Sequence, residues 1–440
     1  MEEETREEIY REIMNHYFLK ADTFFLGKWC GVPRDRLISE GMKKKAIQKF
    51  YEKIKKEKVA SRPTVQKWFG INGEKKPTRT QVLKVSFALK YAAEECNDCL
   101  LHGISEPELQ VNDYVEFIAM YCLDHHLSYQ DYDKMLAFFE QHYSEQIEFR
   151  QTTHTEKLKQ CYRELREAGK EEFLLWMCQH MDLFKGYSKV TQDYFVRLMD
   201  SVYDCIRTKI RRDMQDLLVD TGFLTWARTN HIREEQYKEA IVRYAKNELR
   251  HTGISDERKK ELNEMRYFAS IIYSSRSYMK HILVELCRQV TDETEVELDF
   301  EFSELKKELK KMDAAYISNL LTVAEQKEET LRLSKEKRSS EGEKRDTIEK
   351  QLSRQKQRVK QIQRKDLLIP AQYICQSRYI KSHGELYDRE EAQREFVDFA
   401  DPIMEACGMR PINPEYELDY ILLQCYGEWD MGLFAEVFEE

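Results

Sequence analysis

Proline is missing from most of this chain. Only eight prolines occur in 440 residues, and the stretch from 108 to 369 has none. That stretch is rich in Glu, Lys, Leu, Arg and Gln, which favour helix, whereas proline breaks helices. Glycine is also sparse there, and positions such as Gly169 and Gly222 fall where helices could end. The scarcity of both residues predicts helix through the middle of the chain.

Long apolar runs are absent as well. No run approaches the ~18–20 residues that a membrane-spanning helix needs. The first residues, Met-Glu-Glu-Glu-Thr-Arg-Glu-Glu, have neither the basic region nor the apolar stretch of a signal peptide. We therefore expect a cytoplasmic protein with no membrane partner. In that compartment the eleven cysteines are reduced thiols, many of them buried.

The motifs of common enzymes are missing too. The sequence has no Walker-type glycine loop, no nucleophile elbow and no His-Glu-x-x-His motif. One weaker signal is Arg276-Ser-Tyr-Met-Lys-His281, whose Arg-x4-His spacing resembles that of HEPN-type ribonucleases. In that family, dimerisation brings Arg and His from two helices together to cleave RNA. We expect no enzyme here, with a HEPN-like ribonuclease as the remaining catalytic alternative.

The spacing of four cysteine and histidine residues is close to that of a zinc site, but we expect no zinc there. Cys96-x2-Cys99 is followed by Cys122-x2-His125, which is near the spacing of zinc ligands. However, Cys96 and Cys99 lie three residues apart on a predicted helix, between apolar neighbours. Cysteine in such a place packs as a small hydrophobic side chain. The prediction is therefore core packing, with no metal and no other cofactor.

Against these absences, one short segment is crowded with positive charge. The whole chain carries −9, yet the segment from Lys43 to Lys84 has fourteen basic and three acidic residues, a net charge of +11. The fourteen basic residues are Lys43, Lys44, Lys45, Lys49, Lys53, Lys55, Lys56, Lys58, Arg62, Lys67, Lys75, Lys76, Arg79 and Lys84. Concentrated positive charge of this kind is typical of a protein that binds a phosphate backbone.

The basic segment also contains signals that begin helices. Ser61-Arg-Pro-Thr-Val-Gln-Lys-Trp predicts a short helix, and Gly70-Ile-Asn-Gly73 predicts the turn after it. Thr78-Arg-Thr-Gln81 is a capping box, in which the first and fourth residues satisfy each other's backbone amides. Ser105-Glu-Pro-Glu108 has the same form with an early proline, so it also predicts a helix start.

The stretch from about 43 to 140 resembles the lambda-repressor-like, XRE-type helix-turn-helix of Gram-positive regulators. Ser61-Arg-Pro-Thr-Val-Gln-Lys-Trp-Phe69 is similar to the third, recognition helix of that family. Gly73-Glu-Lys-Lys-Pro77-Thr-Arg79 resembles the Gly-Lys/Arg-x-Pro-Ser-Arg turn, and the segment from Thr80 to Leu89 resembles the helix that follows. The chain departs from the family in its Lys-rich preceding helix and in the long turn from Phe69 to Gly73.

The resemblance assigns roles to side chains by face. Val65 and either Trp68 or Phe69 would pack inward. The residues left to face a DNA groove are Arg62, Thr64, Gln66 and Lys67. Arginine pairs with guanine and glutamine with adenine through two hydrogen bonds, whereas lysine also serves as a phosphate contact. The residues expected to hold the DNA backbone are Lys75, Lys76 and Arg79.

The remainder of the chain is predicted to be helical, which makes the fold class all-α. We expect a helical domain over 1–150 containing the helix-turn-helix at about 43–100, a central helical domain over 151–302, an antiparallel coiled-coil hairpin over 303–368 and a helical subdomain over 369–440. Only the alternation from Val296 to Phe302 looks like a strand. Leu305 to Val323 and Ile348 to Ile362 supply the two apolar stripes of the hairpin.

The second arm of this hairpin ends in a basic run from Arg354 to Lys365. The run is either a solvated helix face or a surface that faces nucleic acid or acidic groups of the same chain.

These features together favour a DNA-binding transcriptional regulator with a large helical sensor or oligomerisation region. Its partners would be double-stranded DNA and, through the helical region, a second copy or another protein. The main alternative is a helical scaffold or interaction protein that retains a degenerate helix-turn-helix fold.

Overall fold

The structure of the chain is a computed structural model. It describes residues 3–15, 20–32, 39–142, 155–184, 188–251, 253–272, 314–358, 362–384, 386–428, 430–432 and 434. Within these ranges the chain forms twenty α-helices and no β-strand, so the predicted all-α class is confirmed. No described helix has the length and apolar character needed to cross a membrane.

The helices are numbered in chain order. They are α1 Glu3–Asn15, α2 Ala21–Cys30, α3 Glu40–Ile54, α4 Arg62–Trp68, α5 Arg79–Leu89, α6 Ala93–Asp98, α7 Tyr114–Asp124, α8 Tyr129–His142, α9 Thr155–Leu165, α10 Lys170–Gln179, α11 Lys189–Asp220, α12 Phe223–Thr229, α13 Tyr237–Glu248, α14 Asp256–Ile272, α15 Ala314–Leu321, α16 Val323–Ser339, α17 Gly342–Arg358, α18 Arg364–His383, α19 Arg389–Ala406 and α20 Glu417–Gln424.

The chain divides into two compact units. The first combines Met1–Val196 with Cys287–Glu440, and the second is Arg197–Leu286. The second unit has its own core, in which Phe223 of α12, Ile241 of α13 and Leu262 of α14 are fully buried. The division into four sequence regions given above stays a prediction.

Aromatic side chains fill the core of the first unit around the basic segment. Phe25 of α2 stacks on Trp29 at 3.9 Å between ring centroids, and Trp29 stacks on Phe50 of α3 at 5.3 Å. Phe69 meets Phe50 edge-on at 5.5 Å. Burial of such large rings contributes strongly to stability, so α2, α3 and α4 are fixed to one another by this cluster.

The helix starts predicted inside the basic segment are confirmed. The Ser61 hydroxyl accepts the Thr64 amide at 3.4 Å at the beginning of α4. Thr78 and Gln81 form the capping box at the start of α5, with the Thr78 amide 2.9 Å from the Gln81 side-chain oxygen. Each cap satisfies amides that the helix itself leaves free.

The helix start predicted at Ser105 is wrong. Residues 105–110 form no helix, and the next helix begins at Tyr114 with Asp113 as its cap. Other side chains take the backbone groups that a helix would use. The Asn97 side chain accepts the Leu109 amide at 2.9 Å, and Glu116 accepts the Gln110 amide at 2.7 Å. Because these bonds satisfy the backbone amides outside a helix, the local capping pattern does not decide the conformation of the segment.

A helical pair forms around the predicted turn of the hairpin. Leu333 of α16 is buried against Ile348 and Leu352 of α17, and Lys337 lies 3.1 Å from Glu349. Gly342 adopts a φ of +59°, which glycine tolerates at a turn. The second arm of the hairpin is predicted to continue to about residue 365. This part of the prediction is wrong, because α17 ends at Arg358 and a new helix begins at Arg364.

Some sequence predictions lie outside the described residues. These are the Arg276 to His281 motif, the strand-like alternation from Val296 to Phe302, and the first part of the hairpin, 303–313.

Gly103 gives a test of the packing between α2 and the turn after α6. A Cβ at this position would lie 2.3 Å from Cζ of Phe25, whose ring is fully buried on Trp29. We expect Gly103→Ala to lower the free energy of unfolding by about 1–3 kcal/mol, because a packed core resists extra volume. Urea denaturation measures this change.

A matched control for Gly103 is Gly41 in α3, where an added Cβ meets nothing within 4 Å. There, alanine should raise stability by about 0.4–1 kcal/mol, since alanine gives the unfolded chain less conformational freedom than glycine does. Equal denaturation midpoints for the two variants would contradict the close packing of Phe25 on Gly103.

Candidate nucleic-acid interface

The basic segment presents most of its charge to solvent. Ten of its fourteen basic side chains are exposed, on α3, on the 3₁₀ turn after it, on α4 and on the turn that follows α4. The exposed residues are Lys44, Lys45, Lys49, Lys53, Lys55, Lys56, Lys58, Arg62, Lys67 and Lys75. This set is called the basic face below. It exists because α3 buries Ile47, Phe50 and Ile54 and leaves its lysines outside.

Few acidic groups neutralise the basic face. Lys44 pairs with Glu40 at 2.5 Å and Lys55 pairs with Glu52, both at the surface. The hydrogen bond from Lys55 lowers the pKa of the Glu52 carboxyl. Lys45 and Lys49 have no ion pair within the described residues. Surface pairs contribute little energy and break readily, so the face keeps a strong positive potential.

The candidate recognition helix α4 and its last turn bury one more aromatic side chain than the resemblance predicts. Val65, Trp68 and Phe69 are all buried, so both aromatic residues pack inward rather than one of them. Thr64 is half-buried and its hydroxyl lies 2.9 Å from that of Ser61, which places it in the helix cap. Thr64 therefore contributes to the beginning of α4 more than to its open face.

Arg62 and Gln66 share one side of α4 with residues of α3. Together with Lys44, Gln48 and Tyr51 they line a depression of about 100 Å³. Arg62 is exposed and Gln66 is half-buried at this place. The structure thus brings two of the predicted base-reading side chains together, beside a lysine and an amide of the preceding helix.

Three further lysines line a different cavity from the depression at Arg62 and Gln66. They are Lys67 of α4 and, in the turn after it, Lys75 and Lys76. The Lys75 amide donates to the Lys67 carbonyl at 3.2 Å, which folds the turn back onto the helix. All three side chains line a cavity of about 120 Å³. They are therefore separate from the depression at Arg62 and Gln66.

Arg79 is not available as a DNA contact, and its predicted role is corrected. Its guanidinium lies 2.7 and 2.8 Å from the two carboxylate oxygens of Glu116. It also donates to the carbonyls of Pro107 and Glu108, at 2.5 and 3.0 Å. Burial alone would lower the pKa of this guanidinium, but Glu116 and then Glu106 raise it. Arg79 fixes the segment after α6 to α7, so it has a structural role.

The cavity beside Lys67 is closed by residues from late in the sequence. Its walls combine the turn after α4 and residues 102–105 with 363–365 and 416–419. Arg364 and Asp419 form a buried pair, with Arg364 Nε 2.8 Å from a carboxylate oxygen of Asp419. The Tyr416 hydroxyl lies 2.5 Å from Nδ1 of His102. The first contact joins two C-terminal helices, and the second holds the residues before α20 against the turn after α6.

The C-terminal residues of this cavity were not identified from the sequence. Arg364 and Lys365 belong to the basic run for which a solvated face was one interpretation. Both are buried, so that interpretation is wrong for these two residues. The alternative interpretation was that the basic run faces nucleic acid or acidic groups of the same chain. For Arg364 the acidic group is Asp419. No local pattern in the sequence links positions 364 and 419.

Cys96 and Cys99 pack in the core as predicted, and both are fully buried. Burial raises the pKa of the Cys96 thiol to about 11 and that of Cys99 to about 12. Burial thus favours the protonated thiol at both positions, as expected of cysteines that pack as small apolar side chains. Within the part of the chain that the structure describes, no group of three or more potential metal ligands occurs.

No family model, no curated protein and no solved structure matches the chain. The resemblance to lambda-repressor-like proteins therefore has no support from these comparisons. What supports a function is therefore the exposure of the basic face and the residues that line the depression and the cavity.

Proposed function

We propose that the chain is a DNA-binding transcriptional regulator that contacts duplex DNA through the basic face. The observation that carries the proposal is the arrangement of α3 and α4. Both helices turn aromatic and aliphatic side chains inward and leave ten basic residues exposed on the segment. Exposed positive charge gathered on one segment attracts a phosphate backbone.

Arg62 and Gln66 are the proposed base-reading residues. They lie one helical turn apart on α4 and border the same depression as Lys44. Arginine and glutamine offer paired hydrogen bonds to guanine and adenine, whereas lysine neutralises phosphate. Lys44, Lys45 and Lys49 on α3 would then hold the backbone on one side of α4, and Lys75 would hold it on the other side.

The remaining helices would serve as a sensor or oligomerisation region. The second unit has a core of its own, which supports a role separate from that of the basic face. The helical pair α16–α17 supports it as well, because its exposed surface is available for a second copy.

The test of this proposal is the affinity for mixed-sequence duplex DNA as salt is varied. We expect a steep loss of affinity with salt, and Lys44→Ala should reduce the slope of log K against log salt by about 1. Gln66→Ala should relax the preference at one base pair by roughly 1–3 kcal/mol, measured on selected sequences. Lys350→Ala in α17, an exposed lysine outside the basic face, should change neither quantity.

A second function is favoured by a different observation. One side of α4 is covered by the chain itself, since 363–365 and 416–419 close the cavity at Lys67. A covered side of α4 cannot face a DNA groove, so this observation favours the scaffold or interaction protein with a degenerate helix-turn-helix fold. No binding to duplex DNA at low salt, with the fold intact, would favour that scaffold function over the regulator.

A further inference from the structure

The cavity beside α4 gathers charge from distant parts of the sequence. Six basic and four acidic residues line it, which leaves an excess of two positive charges. The basic residues are Lys20, Lys67, Lys75, Lys76, Arg364 and Lys365, and the acidic residues are Asp22, Glu74, Glu417 and Asp419. Such an excess inside a walled space attracts an anion with two negative charges.

The acidic residues of the walls are already engaged. Asp22 lies 3.4 Å from Lys43, which is not part of the cavity, and Asp419 is paired with Arg364. Glu74 and Glu417 also interact with other groups. By contrast, Lys67, Lys75 and Lys76 form no ion pair within the described residues. The positive charge of these three lysines is therefore available to a ligand.

Another part of the cavity wall, formed by Arg364 and Lys365, is held in place by several hydrogen bonds. Arg364 is held by both oxygens of Asp419 and donates to the carbonyls of Arg410 and Pro411, at 2.6 and 3.0 Å. Lys365 is only 7% exposed. This part of the wall needs little rearrangement when an anion enters, whereas the lysine side chains lose conformational freedom when they bind it.

The cavity has room for a small anion. Its volume of about 120 Å³ is several times the ~10–15 Å³ that a cavity needs, on the same measure, to hold one water molecule. We propose that this cavity binds a small phosphate-type dianion, inorganic phosphate or the phosphate group of a small phosphomonoester, with Lys67, Lys75 and Lys76 as its charge partners. Lysine ammonium groups bind phosphate oxygens as point charges and donate up to three hydrogen bonds each.

Binding there would also reduce DNA affinity, a consequence that rests on the proposed function. Lys67 and Lys75 belong both to the basic face and to the cavity wall. A dianion between them neutralises charge that would otherwise contact DNA phosphates. By linkage, DNA must weaken the binding of the dianion by the same factor.

The experiment is isothermal titration of the full-length chain with inorganic phosphate at neutral pH, with chloride keeping the ionic strength constant. We expect saturable binding at one site. Lys75→Ala and Lys76→Ala should each weaken it on the order of ten-fold, the loss expected for one charged hydrogen bond. Lys134→Ala, an exposed lysine of α8 outside the cavity, removes the same charge and should leave the dissociation constant unchanged. Circular dichroism establishes that each variant is folded.

Absence of saturable phosphate binding, or an equal loss in Lys134→Ala and Lys75→Ala, would overturn the cavity site. A second titration measures duplex DNA affinity with and without saturating phosphate at equal ionic strength. Unchanged DNA affinity alongside intact phosphate binding would overturn the coupling alone. Phosphate binding in a chain that binds no DNA would support the cavity site and count against the proposed function instead.

Discussion

Alanine at position 79 is expected to lower the free energy of unfolding by about 3–5 kcal/mol. Arg79 makes two hydrogen bonds to Glu116 and two to backbone carbonyls, and its side chain is only 14% exposed. Removing it leaves Glu116 buried without its cation and takes from Glu106 one of two cationic neighbours, the other being Lys365. Burial raises the pKa of the Glu106 carboxyl while Arg79 opposes that rise, so the loss of Arg79 shifts this carboxyl further towards its protonated form.

The control for Arg79 is Lys75, another basic residue of the same segment but an exposed one. Lys75→Ala should change stability by no more than about 0.5 kcal/mol in the same urea titration. Adding Glu116→Gln to Arg79→Ala should recover part of the loss, because no charge is then left on Glu116. An Arg79→Ala variant as stable as Lys75→Ala would contradict the buried network.

Trp68→Ala is expected to cost a similar amount, about 3–5 kcal/mol, for a different reason. Trp68 is the last residue of α4 and is 2% exposed, and its ring centroid lies 5.8 Å from that of Trp29 in α2. Truncation removes a large buried surface and leaves a cavity that the aromatic cluster cannot fill. Because α4 has only seven residues, the variant should also lose the fixed position of Arg62 and Gln66.

Trp68→Phe separates packing from hydrogen bonding at this position. The Trp68 indole nitrogen has no hydrogen-bond acceptor among the described residues, so phenylalanine gives up no polar contact. The expected cost is well below that of Trp68→Ala, because phenylalanine keeps an aromatic ring in the core and leaves a smaller cavity. A cost as large as that of Trp68→Ala would mean that the indole N–H has an acceptor that stabilises the folded chain.

Local signals in the sequence predicted the helices of the basic segment well. Ser61 and Thr78 begin helices as expected, because each cap is completed within three residues along the chain. The inward direction of Val65 follows from the same local geometry. The sequence left Trp68 and Phe69 as alternatives, and both are buried because α2 and α3 approach α4 from two sides.

Distant partners explain what the sequence could not predict. Arg79 looks like any other basic residue of the segment, and only the fold brings it to Glu116, 37 positions later. Ser105 carries a convincing capping pattern, yet Asn97 and Glu116 take the backbone amides beyond it. Arg364 meets Asp419 across 55 positions. In each case the deciding interaction joins residues that no periodic or local pattern connects.

The cavity can be completed only late in synthesis, because its walls come from distant parts of the chain. Residues 20–105 leave the ribosome first, and the closing residues 363–419 follow more than 250 positions later. At the usual ~5–20 residues per second this interval lasts on the order of ten to fifty seconds. During that time the basic segment is present without its C-terminal cover, and the lysines destined for the cavity are open to the nucleic acid of the translating ribosome.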